Sequence, residues 1–244
     1  YILNKGSSRS GKTFGLIDCI DRYSREYKNK RCTVWRDTKT DCKKTVLNDI
    51  QKHLRAISRW KKEFEFNKTE SILSYSNGST YEIHGTDDEN TVHGLTQDVA
   101  HLNEPYDISK EVFDQIDQRT ADFIFIDLNP KQGHWSDDLA KDPRTLVIHS
   151  TFNDNPLCPA ESRAKILSYQ PVSLSDVVIK KILERDEAIN YNCIANPLKF
   201  SDIQIEELQR CQVNEFKRSA DEFNWNVYCL GLKAEKPNRI FKWT

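Results

Sequence analysis

"NKGSSRSGKT", residues 4–13, decides the fold of this chain. Gly6, four residues, then Gly11, Lys12 and Thr13 give G-x-x-x-x-G-K-[ST], a loop that wraps an anion so closely that side chains would obstruct its backbone. The loop's N–H groups and the N-terminus of the helix behind it point at the β-phosphate of a bound nucleotide. Lys12 is placed to neutralise the β- and γ-oxygens, and the Thr13 hydroxyl to take a position on Mg²⁺. Gly6, Ser7, Ser8, Arg9, Ser10, Gly11, Lys12 and Thr13 are therefore the expected nucleotide-binding residues.

The flanks agree with this reading. "YILNK" before the loop reads as a strand, and "KTFGLIDCIDRYSREY" after it as a helix with Leu16, Ile17, Ile20 and Tyr23 at helical spacing. A chance match in a Ser/Gly turn would lack both. Beyond it, "RCTVWRDT" (31–38) alternates like a second strand, and residues 41–60 form a helix with Val46, Leu47, Ile50, Leu54 and Ile57 on one face. "SILSYSNGSTYEIHG" (71–85) is a hairpin with Asn-Gly at its tip. "QDVAHLNEP" (97–105) is a strand ending in an acid, "SKEVFDQIDQRT" a helix, and "DFIFIDLNP" (122–130) a buried strand. "RTLVIHSTFND" (144–154) is another strand, residues 156–220 are mostly helical, and "NVYCLGLKAEKPNRIFKW" is extended. Strands alternating with helices predict an α/β fold, a mainly parallel sheet flanked by helices. Ligands bind at the carboxyl ends of such strands, where the loop, Glu104 and Asn129 all fall.

At 244 residues, 37% of them hydrophobic and 30% charged, the chain suits one large domain or a core with a smaller subdomain. The expected division is a nucleotide-binding core over 1–155 and a mostly helical C-terminal subdomain over 156–244. A net charge of -1 provides no overall basic field for nucleic acid, so any such contact must use local patches, such as "KNKR" (28–31) and "RWKK" (59–62), or several subunits sharing one strand; runs this short are more often solvated helix ends. Cys19, Cys32, Cys42, Cys158, Cys193, Cys211 and Cys229 form no C-x-x-C pair and read as reduced core residues of an intracellular protein. No apolar run approaches 18 residues, so no membrane span is expected. Methionine is absent, which reads either as a fragment whose modified methionines do not appear or as an odd composition; on the first reading each spacing is a minimum.

An extra strand, "RCTVW", separates the loop from the acidic strand, which closes on Asn103 and Glu104. In the branch of P-loop ATPases with that additional strand, the first residue of such a pair helps to hold Mg²⁺ through water and the second orients and deprotonates the attacking water. Glu104 is thus the expected catalytic base, with Lys12 beside it, and Asn103 with Thr13 the expected metal residues. Asn103, being neutral, brings the metal no charge. A GTPase would need N-K-x-D, whereas "NKTE" (67–70) precedes the acidic strand and ends in the wrong acid. A small-molecule kinase would need an Arg-rich lid, for which only the scattered Arg163, Arg185 and Arg210 are available.

Six ordered blocks together resemble the large terminase subunit of tailed bacteriophages, the ATPase that packages DNA into the procapsid. They are "VWRDT...VLNDIQKHL", "YEIHGTDDENTVHGLTQDVAHLNEP", "FDQIDQRT", "DLNP...HW", "STFNDNPL" and "YCLGLKAEKPNRIFKW". The resemblance implies that Asn129 senses the γ-phosphate and passes hydrolysis on to DNA movement, although an Asn-Pro turn explains it too. It implies a cis-acting arginine four residues before the lysine. That position is Ser8, so Arg9 either does the work from a shifted start or points elsewhere. Arg36 and Arg119 are candidates for γ-phosphate or inter-subunit contacts, or for structural salt bridges. The implied cofactors are ATP and Mg²⁺. The implied partners are double-stranded viral DNA, the portal protein of the procapsid, a small terminase subunit and further copies in a ring, in the host cell cytoplasm, with the isolated chain a monomer. The family's nuclease half is expected to lie outside this chain, and the acid pairs at 87–88 and 137–138 to be turn acids. Two other readings stay open: an ATP-binding assembly switch with little hydrolysis, kept alive by Asn103, and a helicase-like translocase outside packaging.

Overall fold

Strands β1 (Ile2–Gly6), β2 (Arg31–Arg36), β3 (Phe64–Asn67), β4 (Ile72–Tyr75), β5 (Thr80–Gly85), β6 (Gln97–Asn103), β7 (Thr120–Leu128) and β8 (Leu146–Ser150) form one sheet. Their order is β3-β4-β5-β2-β6-β7-β1-β8. The computed structural model describes residues 1–58, 63–130, 133–169 and 222–234. The chain divides into two units, one of Tyr1–Lys5 with Gly11–His149, the other of Gly6–Ser10 with Ser150–Thr244.

The centre of the sheet is parallel: β2 pairs with β5 and β6, and β7 pairs with β6 and β1. The antiparallel hairpin β4–β5 carries β3 on its outer side. A central parallel strand is covered on both faces, and this corrects one expectation. Cys32, Thr33, Val34 and Trp35 of β2 are all buried rather than alternating in and out.

Helix α1 (Lys12–Glu26) follows β1 and buries Leu16, Ile17 and Ile20. Helices α2 (Lys39–Cys42) and α3 (Asn48–Ala56) are joined through a π-helical stretch, Lys43–Leu47. This makes the expected second helix run from 39 to 56, not from 41 to 60. Its last predicted core residue, Ile57, caps the helix at φ -89° and ψ 13° and is exposed, while residues 59–60 fall outside the described residues. Ile17, Ile20, Val34, Ile50 and Leu54 share one core cluster, whereas Leu3, Trp35, Leu102 and Ile126 share another with Phe113 and Ile116 of α5 (Lys110–Gln118). Val34 and Trp35 are adjacent in β2, so the two clusters lie on opposite faces of the sheet. Short helices α4 (Glu89–Gly94) and α6 (Ser136–Leu139) complete this unit.

In the second unit, Phe152, Ile166, Leu167 and Cys229 form a small core with Cys158 and Trp225 against it. Helix α7 (Ala160–Leu167) lies in the span expected to be helical, of which 170–220 falls outside the described residues. The expected extended tail is corrected over Asn226–Cys229, which belongs to a π-helical turn, Trp225–Cys229. Leu230 N–H returns to the Trp225 carbonyl at 3.0 Å, so this apolar run coils instead of stretching; residues 235–244 are not described. Cysteine placement is mixed. Cys32, Cys42 and Cys229 are buried thiols and Cys158 packs half-buried against the small core, but Cys19 is exposed and so is not a core residue; Cys193 and Cys211 lie outside the described residues. No helix among the described residues is long and apolar enough to cross a membrane.

Candidate nucleotide-binding site

Lys12 and Thr13 open α1 directly after Gly11, which has φ +86°. Thr13 Oγ1 donates to Asp127 Oδ2 at 2.6 Å. Asp127 stands on β7 in register with Asn103 at the end of β6. Asn103 Nδ2 reaches both Asp127 oxygens at 3.0 Å and lies 3.4 Å from Thr13 Oγ1. One turn of the pleat earlier on β6, His101 Nε2 is 2.6 Å from Asp127 Oδ1. Asp127 is 1% exposed. Burial pushes its carboxyl up, but the bonds from His101, Thr13 and Asn103 more than offset this and leave it below the ordinary carboxylate range.

Lys12 Nζ donates to Asn129 Oδ1 at 3.0 Å. Burial draws the Lys12 ammonium below its usual range, and the charges of Asp127 and Glu104 push it partly back. Four of the expected site residues, Lys12, Thr13, Asn103 and Asn129, thus come together around a carboxylate that the sequence reading did not single out.

Glu104 follows β6 with φ +47°, a left-handed backbone that costs a non-glycine residue about 1–3 kcal/mol. Its N–H donates to the Asp127 carbonyl at 2.8 Å, and its own carbonyl accepts from Tyr106 N at 2.8 Å. Its carboxylate accepts from Arg36 Nη2 at 2.9 Å while the side chain stays 39% exposed. Arg36 also donates to Thr45 Oγ1 at 2.9 Å. Arg119 is elsewhere, bonded to the carbonyls of His93 and Gln115.

The "DLNP...HW" segment is tied to the residues after Glu104. The Tyr106 hydroxyl donates to the Asn129 carbonyl at 3.1 Å and accepts from Asn129 N at 2.7 Å. His134 Nε2 lies 2.8 Å from the Pro105 carbonyl, Trp135 Nε1 donates to the Ile108 carbonyl at 2.8 Å, and Trp135 stacks on Phe113. The acid pairs serve turns and helix ends. Asp88 caps α4, Asp87 accepts from Lys39 N, and Asp137 and Asp138 pair with Lys5 and Lys141. No group of three or more His, Cys, Asp or Glu suited to a metal occurs among the described residues.

The Gly6–Ser10 part of the loop is held within the second unit. Ser7 N donates to the Ser150 carbonyl at 2.9 Å and Ser8 N to the Tyr228 carbonyl at 3.0 Å. Ser7 Oγ accepts from Phe152 N at 2.7 Å, the Arg9 carbonyl accepts from Asn155 Nδ2 at 2.8 Å, and Ser150 Oγ lies 3.2 Å from Ser10 Oγ. A side chain at Gly6 would start 2.0 Å from the Ser150 oxygen, which explains the glycine. Arg9, at φ +61°, lines a cavity of about 270 Å³ with Ser8, Lys165, Tyr169 and Tyr228.

Asp127, His101 and Tyr106 were missed from sequence. The available signal was "DLNP" itself, where Asp127 lies two residues before Asn129.

Residues 1–175 match the family model described as phage terminase large subunit. Among solved structures, the large terminase of a thermophilic bacteriophage is 15% identical with a TM-score of 0.58, over 78% of this chain and 52% of that one. The same protein in complex with ATP-γ-S gives a TM-score of 0.57 at 14% identity, over 70% and 44%. The HK97 bacteriophage large terminase gives 0.52 at 15% identity, over 91% and 46%. At these identities the likeness establishes the fold alone, an α/β sheet flanked by helices. The chain spans about half the length of these relatives. No curated protein matches it by sequence.

Proposed function

Because this chain belongs to the phage terminase large-subunit family, we propose that it hydrolyses ATP to drive double-stranded viral DNA into a procapsid. One observation carries the catalytic part of this reading. Glu104 is held in a strained left-handed backbone, with its N–H bonded to the strand whose carboxylate grips Thr13. Strain of this kind persists where surrounding structure over-determines it, commonly at active sites.

In the proposed reaction the loop amides of Gly6–Ser10 and Gly11 cradle the phosphates, and Lys12 neutralises the β- and γ-oxygens. Glu104 accepts a proton from the attacking water. Hydroxyl and carboxylate oxygens at Thr13 and Asp127 are donors of the kind that a hard cation prefers. Thr13, with Asn103 behind it, would hold Mg²⁺, which when bound neutralises charge on the phosphates. Asn129, bonded to Lys12 and to Tyr106, would carry a change at the phosphates into the "DLNP" segment. An arginine, Arg9 or one from a neighbouring subunit, would stabilise the transferring phosphoryl group. The proposed setting is a ring on the portal in the host cytoplasm, with the small terminase subunit as partner.

Phosphate release from ATP, measured with Mg²⁺ and with or without linear double-stranded DNA, tests the reading. Turnover that rises with DNA is the expected result. ATP bound tightly without turnover, even with DNA and portal-bearing procapsids present, would favour the non-hydrolysing assembly switch.

A further inference from the structure

A buried carboxylate is expensive unless its charge has a purpose or a partner, and Asp127 sits 1% exposed in the middle of the site. Its bonded partners are an amide, a hydroxyl and an imidazole, and among the described residues it forms no ion pair with a lysine or an arginine. The imidazole belongs to His101, which is fully buried and whose Nδ1 has no hydrogen-bond partner among the described residues. The Asp127 carboxylate lies against the hydroxyl that opens α1.

Position 103 at the end of β6, where an acid would ordinarily face that hydroxyl, holds a neutral asparagine. Asn103 and Asp127 are cross-strand partners in register, so a carboxylate on either strand reaches the same point. We propose that the acidic function toward the divalent cation has moved across the sheet: Asp127 on β7 supplies the charge and fixes the Thr13 hydroxyl, and Asn103 orients Asp127 through its amide. Asp127 is then a positioning residue for the cation–nucleotide complex. This rests on the P-loop reading above, and it removes the charge deficit that Asn103 alone would create.

The test separates nucleotide binding from the cation's contribution. Binding of a fluorescent ADP to the whole chain is titrated in EDTA and in Mg²⁺ for wild type, Asp127→Asn and the swapped Asn103→Asp/Asp127→Asn, with thermal melts to confirm folding. Wild type is expected to bind more tightly with Mg²⁺. Asp127→Asn should keep its affinity in EDTA while losing about 10–100-fold in apparent affinity for the metal. The swap, which keeps one carboxylate and one amide facing each other, should recover most of that loss. Asp127→Asn that folds and keeps the full Mg²⁺ enhancement overturns the inference but leaves the P-loop reading intact; wild type that binds no nucleotide overturns both. Should Asp127→Asn fail to fold, wild type carrying ¹³C-carboxyl aspartate decides through the Mn²⁺–ADP complex. Electron–nuclear coupling between Mn²⁺ and an aspartate carboxyl carbon is expected, and its absence overturns the assignment.

Discussion

Glu104 is held in place from two sides. Its backbone is fixed at φ +47° by the bond to the Asp127 carbonyl, and its carboxylate is fixed by Arg36 at 2.9 Å. A base works only if it is aimed, and misplacement by about 1 Å can cost 10²-fold in rate. Arg36→Ala is therefore expected to lower the turnover number about tenfold or more while leaving nucleotide affinity within about twofold. Unchanged turnover would make the ion pair incidental. The residues that touch phosphate in such a site were legible in the sequence because Gly6, Gly11, Lys12 and Thr13 are close neighbours at a fixed spacing. Asp127 was not, because its meaning arises from pairing with Asn103, 24 residues earlier. Register between strands is not written in either strand alone.

Elements show the same division. The apolar runs of α1, β6 and β7 are long enough to read, whereas β3 has four residues among charged neighbours, "KKEFEFNKTE", and its pattern is hidden. The aromatic run Trp225–Cys229 is too short to separate coil from strand by composition. Its bends depend on Gly231, at φ +65°, where an added Cβ would start 2.6 Å from Ser7 N. Gly231→Ala is accordingly expected to cost about 1–3 kcal/mol, each kcal/mol lowering the melting temperature by about 2–4 °C. A melt identical to wild type would show that the turn adjusts freely. Within β5, Glu82 is nearly buried. Burial pushes its carboxyl up, but His84, Arg31 and Thr80 hold it down at about 2. Since the folded-state value is depressed, its stabilisation is present above the ordinary carboxylate range and is lost as pH falls through that range toward about 2. Wild type should melt higher than Glu82→Gln at pH 6, with the gap closing by about pH 2–3. A gap independent of pH would contradict this.

For the whole molecule, a charge of -1 spread over 244 residues means that this chain on its own has little electrostatic pull on DNA. A grip on the duplex would have to come from local patches repeated around a ring, so the isolated chain is expected to be monomeric and slow. Its chemistry is nonetheless testable alone. Phosphate release and ATP binding are measured on wild type, Lys12→Ala and Glu104→Gln. The account predicts turnover in wild type, loss of both binding and turnover in Lys12→Ala, and binding without turnover in Glu104→Gln. Hydrolysis by Glu104→Gln at the wild-type rate would contradict the account, because the proton of the attacking water would then be going somewhere else.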